Sequence, residues 1–389
     1  MAQVITPSAP ANTAYTKFNQ KNVNTKIRFP NRAGQDFHKA VTARVNQYFK
    51  DNGISTYANW QMKLKTFVLL VSYVGLYLAI VSGQFSIWAM WLMAVGLGVA
   101  TAGIGFSVAH DAIHGAYFKS KKLNYLLGLT MNLIGGNRYV WSITHNVVHH
   151  TYTNIQDHDE DLEVASFIRL SPHAPWRPVH RFQHLLAFPV YGLASFFWVF
   201  VKDYKKLAQK NIGPYDGKKH PTSEIVMLIA TKLFYYTYLI IVPLLLLDIT
   251  WWQFLIGFLT VHLTAGIILG VVFQMAHTVE NTEQPLSDAE GKMEDSWAVH
   301  QMKTTGNFAM KNPIINWYVG GLNFQVEHHL FPNICSVHYT AISPIVKQTA
   351  EEFGVPYNYY ETFGEAIASH YRQLKKLGKP DSDSNLVPA

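Results

Sequence analysis

Three histidines fall within six residues of the stretch Trp141-Ser-Ile-Thr-His-Asn-Val-Val-His-His150: His145, His149 and His150. On a helix His145 and His149 stand one turn apart on one face, while His150 points about 100° away. That pair can hold one metal while the odd histidine reaches for a neighbour. Two more clusters share the chain. His110-Asp-Ala-Ile-His114 has the same helical spacing, and Gln325-Val-Glu-His-His329 adds His328 and His329. His277, directly after an apolar run, brings the candidate set to eight. Imidazole suits zinc, copper, iron and nickel. A single zinc needs only three or four ligands, so eight histidines are enough for two metals with positions left for substrate or dioxygen.

Cys335 is the only cysteine, which excludes an intrachain disulfide and a thiolate metal site. Any metal must be held by imidazole, carboxylate or amide groups. The Glu-x-x-His repeat of soluble di-iron bundles is absent. Asp111, Glu327 and the acidic run from Asp157 to Glu163 are placed instead to accept the second ring N–H of a ligand histidine. Gln325 shares a helix face with His328 and His329, and its amide can bind a metal or hydrogen-bond a ligand.

The elements that must position these side chains are apolar. Of 389 residues only 15% are charged and 14% are aromatic, a composition that favours one membrane-embedded unit over soluble domains. Runs at 66–82, 86–108, 225–247 and 251–276 are each long enough to span a bilayer, and short turns join them in pairs. Residues 123–136 are apolar but too short to cross, and 182–201 suit the interface. Phe37, Val41, Val45, Tyr48 and Phe49 recur at helical intervals, as on an amphipathic surface helix. Residues 1–36 read as a flexible N-terminal segment with no signal-peptide pattern, and 371–389 as a C-terminal tail.

Charge gives the orientation. Of 32 Lys and Arg, 10 lie in residues 1–65, 13 in 109–224 and 8 in 277–389; Lys232 lies within a span and the two short turns carry none. The positive-inside rule places both termini and the long middle segment in the cytoplasm. Every histidine cluster falls on that side. The fold expected is an all-α integral membrane protein, with four transmembrane helices in two hairpins and a cytoplasmic helical cap holding a His-rich dimetal site. A net charge of +7 suits anionic lipid and an acidic protein partner rather than nucleic acid.

Two metals beside a hydrocarbon interior point to chemistry on a lipid chain. An unactivated C–H bond yields to no side-chain acid or base; a redox metal, dioxygen and external electrons are needed, and iron is the usual carrier. The three clusters, with flanking Thr151-Tyr-Thr-Asn154, Trp297, Gln301, Thr304, Thr305, Asn316-Trp317, Gly320-Gly-Leu-Asn323 and Leu330-Phe-Pro332, resemble the histidine boxes of the membrane fatty acid desaturases. Gln325 at the head of the third box resembles the front-end branch. The resemblance covers residues 37–370. It implies a di-iron centre and oxygen-dependent formation of a cis double bond at delta-6 or delta-5 in an unsaturated acyl chain, carried as lipid or coenzyme A thioester. His277 matches the family's additional ligand. No His-Pro-Gly-Gly haem motif is present, so the resemblance implies a separate electron donor, ferredoxin, as in bacterial inner-membrane or cyanobacterial members.

The other histidines invite plainer readings. His180 and His184 suit an amphipathic surface helix, His262 a buried hydrogen bond, and His158 a solvated position or one behind a ligand. His300 and His338 stay outside the ligand set, and His38, His173, His220 and His370 carry no signal. Lys232 is expected to snorkel to the interface. A lipid hydroxylase or sphingolipid desaturase would share the boxes. A metal transporter would need ligands near the bilayer midplane, where only His262 and Lys232 lie.

Overall fold

The computed structural model describes residues 27–30, 34–213, 215 and 220–380. Most of the expected flexible segment therefore lies outside the described residues. Its end does not float: Arg28 N donates to Gly291 O (2.8 Å), and Met293 N donates to Arg28 O (2.9 Å). Helix α1 (Gln35–Asp51) buries Phe37, Val41, Val45 and Phe49 as its spacing predicts.

Helix α2 (Trp60–Val81) starts earlier than the sequence suggests, because Asn59 accepts from Met62 N and caps it. It carries Lys63 and Lys65 inside its first turns. Ser86 caps helix α3 (Ile87–Ile113), which passes without a break through a π-turn segment, Ile104–Ala109, to His110. Gly115, at φ 76°, ends that run. Residues 121–136 form two short helices and a Gly135-Gly136 turn. Helix α4 (138–152) follows and is π-type over Ser142–His149.

Helices α5 (Pro178–Gly192) and α6 (Ala194–Ala208) are bent by 58° at Leu193. Among the described residues, helix α7 (Thr222–Leu246) and helix α8 (Trp251–His277) complete, with α2 and α3, the set of four single helices long enough and apolar enough to cross a membrane. Of these, α3 is the axis, buried along most of its length, whereas α2, α7 and α8 show broad apolar faces. Gly98 allows the close packing of α3 on α8: a Cβ there would lie 2.7 Å from Val261 O. Exposed tryptophans mark both ends, Trp60 at one and Trp88, Trp251 and Trp252 at the other, as in the aromatic belts of membrane proteins.

Lys232 departs from expectation. It does not snorkel: only 2% exposed, it donates to Gly135 O (2.6 Å), Val199 O (2.7 Å) and Asp203 Oδ2 (2.7 Å). Its partner comes from α6, which no local pattern connects to α7.

The remaining helices, α9 (Trp297–Thr304), α10 (Gln325–Leu330), α11 (Tyr339–Glu352) and α12 (Phe363–Leu377), pack with α1 over the ends of α3 and α8. The tail expected from 371 is helical as far as Leu377, because His370, Gln373, Leu374 and Leu377 are buried. Residues 381–389 lie outside the described residues. Among the described residues, strand structure beyond isolated bridges is one parallel pairing, Asn307–Phe308 with Tyr359–Tyr360.

Candidate metal centre

Four elements bring the eight histidines together: the end of α3, the π-type stretch of α4, the end of α8, and α10. All eight are buried. Their ring nitrogens fall into groups whose atoms lie within 4.8 Å of one another. One group is His110, His114, His145 and His328; another is His149, His277 and His329. His150 joins His328 and His329 in a third that links the two. The rings of His145 and His149, the pair expected to share one metal, stack at 5.3 Å and 18°. A further group places these two with Asp161, and each also belongs to one of the first two groups.

The outer nitrogens are held. His110 Nδ1 meets Asp111 Oδ1 (3.4 Å), and His149 Nδ1 meets Asp159 Oδ2 (3.1 Å). His277 Nδ1 faces Thr304 O (3.3 Å), His328 Nδ1 faces Tyr339 OH (3.3 Å), and His329 Nδ1 faces Gln301 Oε1 (2.7 Å). Carboxylate, carbonyl and amide oxygens can only accept, so at His110, His149, His277 and His329 the proton sits on Nδ1 and the Nε2 lone pair faces the centre. Among the described residues, the buried atoms with no hydrogen-bond partner include Nε2 of His110, His114, His149, His277, His328 and His329, with Nδ1 of His150. His150 Nε2 lies 3.2 Å from His145 Nε2. Buried polar atoms without partners are rare, and a convergent set of nitrogen lone pairs fits cations.

Protons do not fill that role. Burial, reinforced by the neighbouring imidazoles, holds His114, His145, His150, His328 and His329 well below the usual histidine range. Neutral imidazole is the metal-binding form. His149 moves the other way: burial opposes its charge, but the Asp159 and Asp161 carboxylates overcome it and raise the pKa.

Other expected residues are placed differently. Asp157, at φ 65°, accepts from Gln156 Nε2 (3.1 Å), and it is Asp159, two residues on, that meets His149. Glu327 faces away from the rings, accepting from Tyr357 OH (2.7 Å) and Asn307 Nδ2 (2.8 Å), and burial raises its pKa. Gln325 is 1% exposed and its Oε1 has no partner. His180 is buried, in hydrogen-bond contact with Arg177 N and Ser166 O, and His184 packs on Tyr371; neither joins the cluster. His262 sits between Ser195 Oγ (3.1 Å) and Tyr235 OH (3.2 Å).

Sequence reasoning missed several supports. His300 is buried with Nε2 2.8 Å from Thr153 O, and burial pushes its pKa down to about 4. His370 fixes Thr278 O (2.6 Å), next to His277, and contacts Tyr191 OH (3.0 Å). Thr304 and Tyr339 hold two of the rings. Nothing local signals these roles, since each partner is distant in sequence. On the apolar side, Trp141 stacks on His145 at 4.2 Å, and Phe273 lies 5.2 Å from His149 and 5.3 Å from His277.

Residues 86–361 match the family described as fatty acid desaturase. The chain is 38% identical to the sn-1 linoleoyl-lipid 6-desaturase of Arthrospira platensis, covering 92% of this chain and 96% of that one. It is 37% identical to the enzyme of the same name from Synechocystis, covering 91% and 98%. The acyl-lipid (8-3)-desaturase of Physcomitrium patens is 32% identical over 90% of this chain and 74% of its own. Four apolar spans, three histidine boxes meeting in one buried cluster and these relatives agree: the chain belongs to the fatty acid desaturase family, in the front-end branch that its Gln325 box resembles.

Proposed function

We propose that the protein desaturates an acyl-lipid at the delta-6 position, using two irons, dioxygen and electrons from a separate carrier such as ferredoxin. The observation that carries this reading is the convergence of unpartnered ring nitrogens on one buried space. His110, His114, His145 and His328 would hold one iron; His149, His277 and His329 would hold the other, with His150 between them. When bound, the irons supply the oxygen-dependent redox chemistry that an unactivated C–H bond requires. The chain's own contribution is positional. Asp111, Asp159, Gln301 and Thr304 O keep protons on the outer nitrogens, while Trp141 and Phe273 keep water from the apolar side.

The four spans form two hairpins in this reading. Both termini and the helical cap face the cytoplasm of a bacterial cell, and the inner membrane holds the bundle. Tags at Gly83 and Asp248 should then be reached only from the opposite side. The names of the three relatives given above, linoleoyl-lipid and acyl-lipid desaturases, support the substrate class. The test is expression in a host fed linoleate, with derivatised products located by mass spectrometry. A new bond between the existing one and the carboxyl end, on glycerolipid, is the expected product. A bond on the methyl side, or a hydroxylated chain, would replace this reading.

A further inference from the structure

Two lysines of the apolar spans, Lys65 and Lys232, are buried, and their surroundings differ. Lys232 has three acceptors. Lys65, on α2, is 5% exposed and makes no hydrogen bond or ion pair among the described residues. Asp111 attracts it from outside contact distance. That carboxylate is already taken, accepting at Oδ2 from Cys335 Sγ (3.2 Å), Ser336 N (2.9 Å) and Ser336 Oγ (2.7 Å), while Oδ1 faces His110. The Lys65 ammonium instead lies 5.9 Å from the centroid of the Trp317 ring. Trp317 is 43% exposed, and with Ile314 it forms the outward face of the short helix Pro313–Tyr318, whose Tyr318 OH bonds to Val99 O of α3.

The Lys65 stem is buried while its Nζ keeps some exposure, so an acceptor from outside can reach the ammonium. Nothing in the packing of α2 demands a lysine here. Met62, Thr66 and Leu69 share the inward face, and a methionine would fill the same volume. The position is informative as well. Lys65 lies one helical turn or so inward from the exposed Trp60 and beside Asp111, the residue that faces His110. In a front-end acyl-lipid desaturase the ester end of the chain is only a few bonds from the reacting carbon. The polar head of the lipid must therefore rest close to the histidine cluster, at the membrane boundary.

Resting on the acyl-lipid reading, we infer that Lys65 and Trp317 form a site for the phosphate of a glycerophospholipid substrate. A lysine ammonium is a compact partner for phosphate oxygens, and an interfacial indole suits the adjoining glycerol region.

The test uses the full chain in detergent micelles containing equal amounts of phosphatidylglycerol and an uncharged diacylglycerol glycolipid, with retained lipid counted by native mass spectrometry. The wild type should retain phosphatidylglycerol in preference. Lys65→Met should weaken that retention about tenfold or more, the worth of one hydrogen bond to a charged group, and Lys65→Arg should keep most of it. Bound iron should match wild type in both variants, which separates loss of the site from loss of the fold. Unchanged retention in Lys65→Met, or no preference for the phospholipid in wild type, overturns the proposal. Displacement of phosphatidylglycerol by an equal concentration of acyl-coenzyme A would assign the phosphate to a thioester and overturn the lipid occupant. If the retention pattern appears but no acyl-lipid is desaturated, the functional reading fails and the phosphate site stands.

Discussion

Two of the buried clusters of polar side chains in this protein differ in what their atoms face. Within the bundle, Lys232 holds Asp203, Gly135 O and Val199 O; Trp198 Nε1 donates to the other Asp203 oxygen (3.0 Å); His262 lies between Ser195 and Tyr235. Tyr73 and Tyr238 share a hydrogen bond (2.6 Å), and Tyr238 OH donates to Leu133 O. Every group there has a protein partner, so the network joins α2, α6, α7 and α8 and is complete in itself. The histidine cluster is held as firmly from outside but leaves its inner nitrogens without partners. Satisfied polar networks fix a packing; a convergent unsatisfied set marks a place for a ligand. Composition alone would not separate them, since both contain histidine and carboxylate.

Bound metal is the measurement on which the two clusters should part most. His277→Ala removes one of the three histidines in its group, and we expect that group to lose its metal and desaturation to disappear while the protein still inserts. Iron per chain, measured on purified protein, decides it. Full iron in His277→Ala would make its unpartnered Nε2 incidental and weaken the contrast with His262.

A smaller loss is expected from the carboxylate behind a ring. Asp159→Asn keeps one of the two oxygens that accept from Asn154 N (Oδ2, 2.8 Å) and Asp161 N (Oδ1, 3.1 Å) and removes the charge that holds the His149 proton on Nδ1. Replacing such a partner weakens metal affinity about 10–100-fold, read by chelator competition. Wild-type affinity in Asp159→Asn would mean that backbone position alone orients His149.

The satisfied network should respond in stability rather than in metal. Lys232→Met strands the Asp203 carboxylate and two carbonyls, at a cost of about 3–5 kcal/mol. Adding Asp203→Leu should recover part of it, because removing both charges removes the stranded one. Iron per folded chain should stay at the wild-type level in both variants. Loss of iron in proportion to stability would show that the two clusters are one coupled unit.

How far these roles could be read from sequence depends on how local each is. The histidine boxes were legible because imidazoles at i, i+4 and i+1 are unusual in number and lie just beyond apolar runs. The four spans were legible by length, although Lys63 and Lys65 disguised the start of α2, where the Asn59 cap extends the helix. The choice between Asp157 and Asp159 was not legible. Asn154 and Asp157 both adopt positive φ, and that loop turns a run of similar carboxylates in different directions. Asp203 and Lys232 are 29 residues apart, and His370 reaches Thr278 across 92. No periodicity links such pairs, so only the folded chain shows them.

Gln325 tests the contrast at its edge. It stands at the head of the third box, on α10 one turn before His328 and His329. Its Oε1 is buried and, like the inner nitrogens, has no partner. An amide oxygen is a weaker ligand than imidazole but can bind a metal or hold a water through its donors and acceptor. If it merely braced a neighbouring histidine, its oxygen would be expected to carry a partner as Gln301 Oε1 does, 2.7 Å from His329 Nδ1. We therefore expect Gln325 to act directly at the centre. Gln325→His offers a stronger ligand of different reach and should keep nearly all of the iron, the smallest change in metal among the variants at the centre, while losing most of the activity. Gln325→Ala should lose activity with a modest loss of iron. Wild-type rate and product position in Gln325→His, confirmed by mass spectrometry, would show that its geometry has no part in the reaction and that an unpartnered buried atom in this region is not sufficient to mark a functional one.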